Sequence, residues 1–210
     1  MLGTEETELV FREMNTHLTE DDVPSIYFDR ISALPWFSQP PFNILLDLKK
    51  AEQNLLHHPE GNAWMHTLMV VDEAASVKSK SKDPCVFMWA ALLHDVGKPG
   101  TTKYRKGRIT SYDHDKLGAK LVREFLEKMP VDRTFTDKTA SLVRWHMQIL
   151  FVVKGLPFAD VQSMRRDTDV LEVALLGLCD RMGRKGADRA REEETIRLFL
   201  EKCSAAQPCF

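Results

Sequence analysis

This 210-residue chain has no long apolar stretch. Its longest uninterrupted run, VFMWAALL at residues 86–93, falls far short of the roughly 20 residues a membrane-spanning helix needs. Cysteine is scarce as well. Cys85, Cys179, Cys203 and Cys209 form no CxxC pair and no disulfide-framework spacing, so buried free thiols are expected. Neither sign of charge is in excess: 29 Lys and Arg stand against 31 Asp and Glu. That balance excludes a strongly basic or disordered chain and gives no overall pull toward nucleic acid or a membrane surface. Repeats, low-complexity segments and Ser/Gly linkers are missing, and the acidic start MLGTEETELVFREMN lacks the apolar region of a signal peptide. A single soluble, reduced, cytoplasmic domain with a sizeable core is the expectation.

What the sequence does contain is helical periodicity. Residues 4–18 and 20–33 have helical spacing, with Thr19 read as an N-cap before an acidic first turn. ALPWFSQPPF then breaks the chain with three prolines. A helix near 42–55, a loop LLHHPEGN and a helix from Trp64 to Lys78 follow. Residues 84–96 are apolar all round, which marks a central helix. Gly97 stands at its C′ position and Pro99 two residues on, so the helix stops just after His94-Asp95. TTKYRKGRITSY reads as a short hairpin or loop. Further helices are predicted at 115–129, 137–150, 168–182 and 187–203. No strand is strong enough to seed a sheet, so the fold class is an all-α, single-domain helical bundle. Residues 1–55 form an N-terminal helical extension packed on the core, 56–203 the main domain and 204–210 a tail.

Of the seven histidines, His17 reads as surface and His57 and His58 as loop residues. The others sit beside apolar runs on separate helices: His66, the pair His94-Asp95, His114 at the start of DHDKLGAKLV, and His146 in SLVRWHMQIL. Asp180 ends the apolar run VALLGLC. A lone core histidine usually has one hydrogen-bond partner. Several such groups converging from different helices are what a metal site in a bundle core requires, because one cation satisfies them together.

The order His, His-Asp, distant Asp, with the doublet in the form LLHDVGK, resembles the HD-domain metal-dependent phosphohydrolases. HHPEGNAWMHTLMVVD, AALLHDVGKPGTT, ITSYDHDKLGAKLV and VRWHM are similar to the C-terminal HD region of bacterial tRNA nucleotidyltransferases (CCA-adding enzymes), over about residues 55 to 185. Nothing in residues 1–55 resembles their nucleotidyltransferase head, so the resemblance implies the hydrolase module standing alone, without CCA addition. It implies His66, His94, Asp95 and Asp180 as primary metal ligands. His114 and His146 would hold a second metal bridged by Asp95, or face the substrate phosphate. Lys98 would reach a phosphate oxygen or the leaving group, unless it is a solvated helix-terminal lysine.

Imidazole and carboxylate ligands without thiolate suit Mn, Fe, Co, Ni or Mg, with Zn also admissible, as one or two ions. Such an ion lowers the pKa of a water from about 15.7 toward roughly 7 and neutralises charge on a phosphoryl group. Asp95 would orient the attacking water and Lys98 stabilise the departing oxygen, with no covalent intermediate. RMGRKGADRAR puts Arg181, Arg184, Lys185, Arg189 and Arg191 after Asp180. These form a rim that collects nucleotides or an RNA end, with Arg184 the best candidate for contact, or an ordinary solvated helix paired with the following glutamates. The expected activity is hydrolysis of nucleotides or related phosphate mono- and diesters, including 2′,3′-cyclic phosphodiesters. A diiron oxygenase and a non-catalytic metal-stabilised nucleotide- or RNA-binding module are the rival readings. No membrane partner is expected, and the sequence leaves the oligomeric state open.

Overall fold

A computed structural model describes residues 2–53, 59–105 and 107–205. Helix α5 (Pro84–Leu93) runs through the middle of it. Asp83 caps its first turn by accepting from the Val86 amide, and Pro84 occupies the start, where no amide is needed. Every side chain from Val86 to Leu93 is buried, and each large one contributes roughly 1.5–3 kcal/mol. Against α5 pack α1 (Thr4–Glu20), α4 (Ala63–Val77), α8 (Arg133–Trp145) and α11 (Val170–Met182). Helix α7 (His114–Leu126) lies along α8, while α12 (Arg189–Ala205) covers α11 and α9 (Gln148–Val153). The shorter helices α2 (Ser25–Ile31), α3 (Asn43–Leu46), α6 (Lys98–Thr101) and α10 (Val161–Asp167) complete an all-α domain.

The strands β1 (Thr102–Arg105) and β2 (Arg108–Ser111) form an antiparallel hairpin where the sequence suggested a hairpin or a loop. Among the described residues it is the one sheet, of two strands, in a helical fold. Among the described residues, no helix is long and apolar enough to cross a membrane.

Several boundaries differ from the sequence reading. Thr19 is not an N-cap: α1 runs on through Glu20, and the Thr19 hydroxyl donates back to the Asn15 carbonyl. The stretch read as one helix over 42–55 is α3 followed by a 3-10 turn, Asp47–Lys50. Beyond it the chain turns extended, because the Ala51 carbonyl accepts from the Ala63 amide and Glu52 pairs with Asn62. This tertiary pairing overrides local helical preference and leads the chain to the start of α4. The helix expected over 137–150 breaks at His146-Met147 into α8 and α9. Within the proline-rich break, a 3-10 turn Pro35–Ser38 buries Phe37 completely.

Gly97 is needed for a different reason than the one expected. Its φ of −79° is right-handed, not the left-handed C′ conformation. A Cβ there would meet the His114 carbonyl oxygen at 2.0 Å and the Gly118 amide at 2.7 Å. Glycine lets α7 press directly on the turn after α5, and that contact sets the distance between His94 and His114.

Candidate metal centre

Four buried imidazoles meet at the C-terminal end of α5. His66 comes from the first turn of α4, His94 is the C-cap of α5, His114 opens α7 and His146 is the C-cap of α8. Asn62 fixes the start of α4 by accepting from the Met65 amide. Asp113, in the left-handed conformation at φ 59°, turns the hairpin into α7. The rings follow one another in the order His66, His94, His146, His114, with centroids 5.4, 5.5 and 5.1 Å apart.

Backbone carbonyls set how each ring is turned. Nδ1 of His94 lies 2.8 Å from the Ala91 oxygen, and Nδ1 of His114 and of His146 each lie 2.7 Å from the Ser111 and Val143 oxygens. A carbonyl only accepts, so each Nδ1 carries the proton and donates it, and Nε2 keeps its lone pair. Nδ1 of His66 is held the same way, 3.2 Å from both the Gly183 carbonyl and the Glu60 carboxylate. At the ends of α5 and α8 the accepting carbonyls belong to the last helical turn, which has no intrahelical amide for them. One hydrogen bond thus both caps the helix and aims the free nitrogen off its end.

His114 Nε2 then faces His146 Nε2 at 3.1 Å. Two lone pairs at that separation repel unless a proton or a cation stands between them. Asp95 completes the cluster: Oδ1 is 3.5 Å from His114 Nε2, and Oδ2 is 3.2 Å from His94 Nε2 and 3.8 Å from His66 Nε2. Two compact groups result, His66/His94/Asp95 and Asp95/His114/His146, each with its ligand atoms within 4.8 Å of one another and with Asp95 shared. Asp180 belongs to neither group; its Oδ1 lies 3.0 Å from His66 Nε2 and 3.7 Å from Arg184 Nη2.

The protonation states match this arrangement. Burial pushes His114 down, and burial together with the adjoining His114 and His94 rings pushes His146 down to about 4. Both are therefore neutral at neutral pH, the form that can bind a cation. Burial opposes ionisation of Asp95, but His94 and Lys98 hold it well below the usual carboxylate range. For Asp180, burial likewise opposes, and Arg184 and His66 prevail. His66 moves the other way: burial lowers it, yet Asp180 and Glu60 lift it above its ordinary value. His94 Nε2 is buried without a hydrogen-bond partner among the described residues, whereas Asp95 Oδ2 is met by the Lys98 ammonium at 2.6 Å. An orphaned ring nitrogen is costly in an interior unless a ligand takes it up.

Lys98 is not a solvated helix-terminal lysine. It is buried, with Nζ 2.6 Å from Asp95 Oδ2 and 2.5 Å from Gln53 Oε1. Arg184 is partly exposed beside Asp180. Among the other basic residues after Asp180, Arg181 pairs with Glu192 at 3.2 Å and Arg189 with Glu73 at 2.7 Å. His17 hydrogen-bonds Asp21 and stacks on Tyr27, away from the cluster. His57 and His58 lie outside the described residues, as does Cys209, and the other three cysteines are free. Three supporting contacts escaped the sequence reading. They are Gln53 behind Lys98, Glu60 behind His66, and the buried Asp115, 2.5 Å from Arg144, which ties the start of α7 to the end of α8. Glu60 and Asp115 had a usable signal, since each sits inside one of the motif stretches, and Gln53 had none.

Residues 63–184, more than half of the chain, match the HD domain family. The chain belongs to the HD domain family. HD-domain proteins form a helical superfamily of metal-dependent phosphohydrolases, and the matched segment runs from the first residue of α4 to Arg184, enclosing the four clustered histidines, Asp95, Lys98, Asp180 and Arg184 but not Gln53 or Glu60. Similar curated proteins include the Multifunctional CCA protein of Halorhodospira halophila, 37% identical over 73% of this chain and 31% of that one. The Multifunctional CCA protein of Actinobacillus pleuropneumoniae serotype 5b is 33% identical over 60% of this chain and 30% of its own. The A-adding tRNA nucleotidyltransferase of Deinococcus radiodurans is 35% identical over 57% and 30%. The HD-domain chain spans only about a third of the length of these relatives. Its donor set fits a divalent cation: the neutral imidazoles of His114 and His146 with free Nε2 atoms, an ionised shared carboxylate and the orphaned, buried Nε2 of His94.

Proposed function

We propose that this HD-domain chain is a phosphohydrolase acting on nucleotides or related phosphate mono- and diesters, 2′,3′-cyclic phosphodiesters among them. The observation that carries the reading is the unprotonated Nε2 pair of His114 and His146 at 3.1 Å, with the Asp95 carboxylate beside it. His66, His94 and Asp95 would hold one ion and Asp95, His114 and His146 a second, with Asp180 joining the first through a small side-chain shift. When bound, the metal (Mn, Fe, Co, Ni, Mg or Zn) supplies an acidified water and neutralises phosphoryl charge. The chain's own groups do the rest. Lys98, held by Gln53, keeps Asp95 ionised and fixed in orientation so that it can align the water. Arg184, with a buried unpartnered Nε, is the nearest flexible cation for a phosphate oxygen, and Lys98 or His114 would steady the leaving group.

The names of the relatives, CCA protein and tRNA nucleotidyltransferase, point the substrate toward an RNA end. Residues 56–203 would then carry the chemistry, with 1–55 packed on them and Gln53 reaching in. The test is phosphate or nucleoside release from cyclic nucleotides, nucleoside monophosphates and bis-p-nitrophenyl phosphate by metal-loaded protein. Turnover by the native chain, lost in Asp95→Asn while the far-ultraviolet circular dichroism is unchanged, is expected. Absence of hydrolysis with every divalent metal would contradict the reading. Near-ultraviolet absorption of an iron-loaded form without hydrolysis would assign the same ligands to oxygen chemistry instead.

A further inference from the structure

The β1–β2 hairpin carries charge that nothing among the described residues neutralises. Lys103, Arg105 and Arg108 are exposed, and among the described residues none of their cationic heads has an ion-pair or hydrogen-bond partner. Asp113, the nearest acid along the chain, is taken by Lys116 at 2.7 Å. Elsewhere the surface cations are often matched, as Arg189 is by Glu73, Lys138 by Asp83 and Lys82 by Asp169. The hairpin is the reverse of that pattern.

Register concentrates the charge on one face. Arg105 sits directly across from Arg108, and Lys103 across from Thr110, so by strand alternation all three cations point to the same side. Opposed like charges in a cross-strand pair destabilise a hairpin, and a bound anion removes that penalty. Tyr112, also strongly exposed, joins this face: the Arg105 guanidinium lies 5.5 Å from its ring centroid. Tyr104 is exposed on the opposite face. Three cations without an acidic partner beside an exposed aromatic ring are the elements of a single-strand binding surface, phosphates on the cations and a base on the ring.

Both strands are tied to the metal cluster. Thr102, which opens β1, donates its hydroxyl to the Lys98 carbonyl at 2.8 Å, and Ser111, which ends β2, accepts from His114 Nδ1 at 2.7 Å. We propose that the hairpin is a flap that seats single-stranded RNA, with its phosphates on Lys103, Arg105 and Arg108 and a base on Tyr112, and so delivers an RNA end to the site. The proposal rests on the phosphohydrolase reading for what happens next, but not for the binding itself.

The test is fluorescence anisotropy of the full chain with a short labelled single-stranded RNA in excess chelator, where no turnover occurs. Replacing Lys103, Arg105 and Arg108 together by Gln is expected to weaken binding and to reduce the slope of log K against log salt by about 2, from roughly 0.7 per phosphate contact. Tyr112→Ala should weaken binding about five-fold or more, whereas Tyr104→Ala and Arg189→Gln should change it little. Unaltered binding by the triple variant, equal or tighter binding of duplex RNA, or capture of anionic vesicles in place of RNA would each overturn the proposal. Hydrolysis of mononucleotides by a chain that does not bind RNA would sink the flap and leave the site reading standing. RNA binding without hydrolysis would do the opposite.

Discussion

The carbonyls of Ala91, Ser111 and Val143 decide which nitrogen each imidazole has left to offer. Because Nδ1 is committed to the backbone, protonating one of these histidines means placing a charge on Nε2 inside the cluster. His146 shows the cost: burial and its histidine neighbours push it down to about 4 from 6.5. A histidine whose folded pKa lies below its unfolded value binds its proton more tightly when unfolded. Acid therefore favours unfolding across the window between the two values. His114 is shifted the same way, whereas the raised pKa of His66 contributes stability that is present below about 6.5 and lost as pH rises through its folded value. The melting temperature of chelator-treated protein is thus expected to fall as pH drops from about 6.5 toward 4, and to fall less in His146→Gln. A melting temperature that rises over that interval would contradict the assigned tautomers.

At the scale of elements, the site is made by helix ends. Helices α5 and α8 terminate in capping histidines, α7 begins with one, and Gly97 and the Asp115–Arg144 pair hold α7 close enough for them to meet. Gly97→Ala forces a methyl group against the His114 carbonyl oxygen at 2.0 Å. A loss of roughly 1–3 kcal/mol in chemical denaturation is expected from such overpacking, with weaker metal retention because His114 must move. A variant as stable as the native chain would show that the approach of α7 is not needed. The helices themselves were legible in the sequence, because α4, α5 and α11 carry apolar runs that only burial explains, and the candidate ligands stood at the ends of such runs. The break at His146, the extended return through Ala51 and the reason for Gly97 were not. Each is set by a contact between segments distant in sequence or by a side-chain cap, neither of which leaves a periodic signal. Gln53 was illegible for the same reason: it meets Lys98 from 45 residues away.

Over the whole molecule, a core of apolar helices surrounds one polar centre whose charges are arranged to face each other. Such a core is stable only if that centre is filled or its repulsions are tolerated, so stability and metal binding are linked. A ligand that binds only the folded chain stabilises it by about 2.7 kcal/mol at a hundredfold excess over Kd, which at roughly 2–4 °C per kcal/mol raises the melting temperature by about 5–10 °C. The most direct measurement is the metal content of the full chain after loading with Mn(II), Fe(II), Co(II), Ni(II), Zn(II) or Mg(II) and removal of the excess by gel filtration, taken with its melting temperature. The account predicts one or two retained ions per native chain together with the thermal shift, and loss of both in a His94→Gln, Asp95→Asn double variant that remains helical. A native chain that retains no metal, or a double variant that retains as much as the native chain, would contradict it.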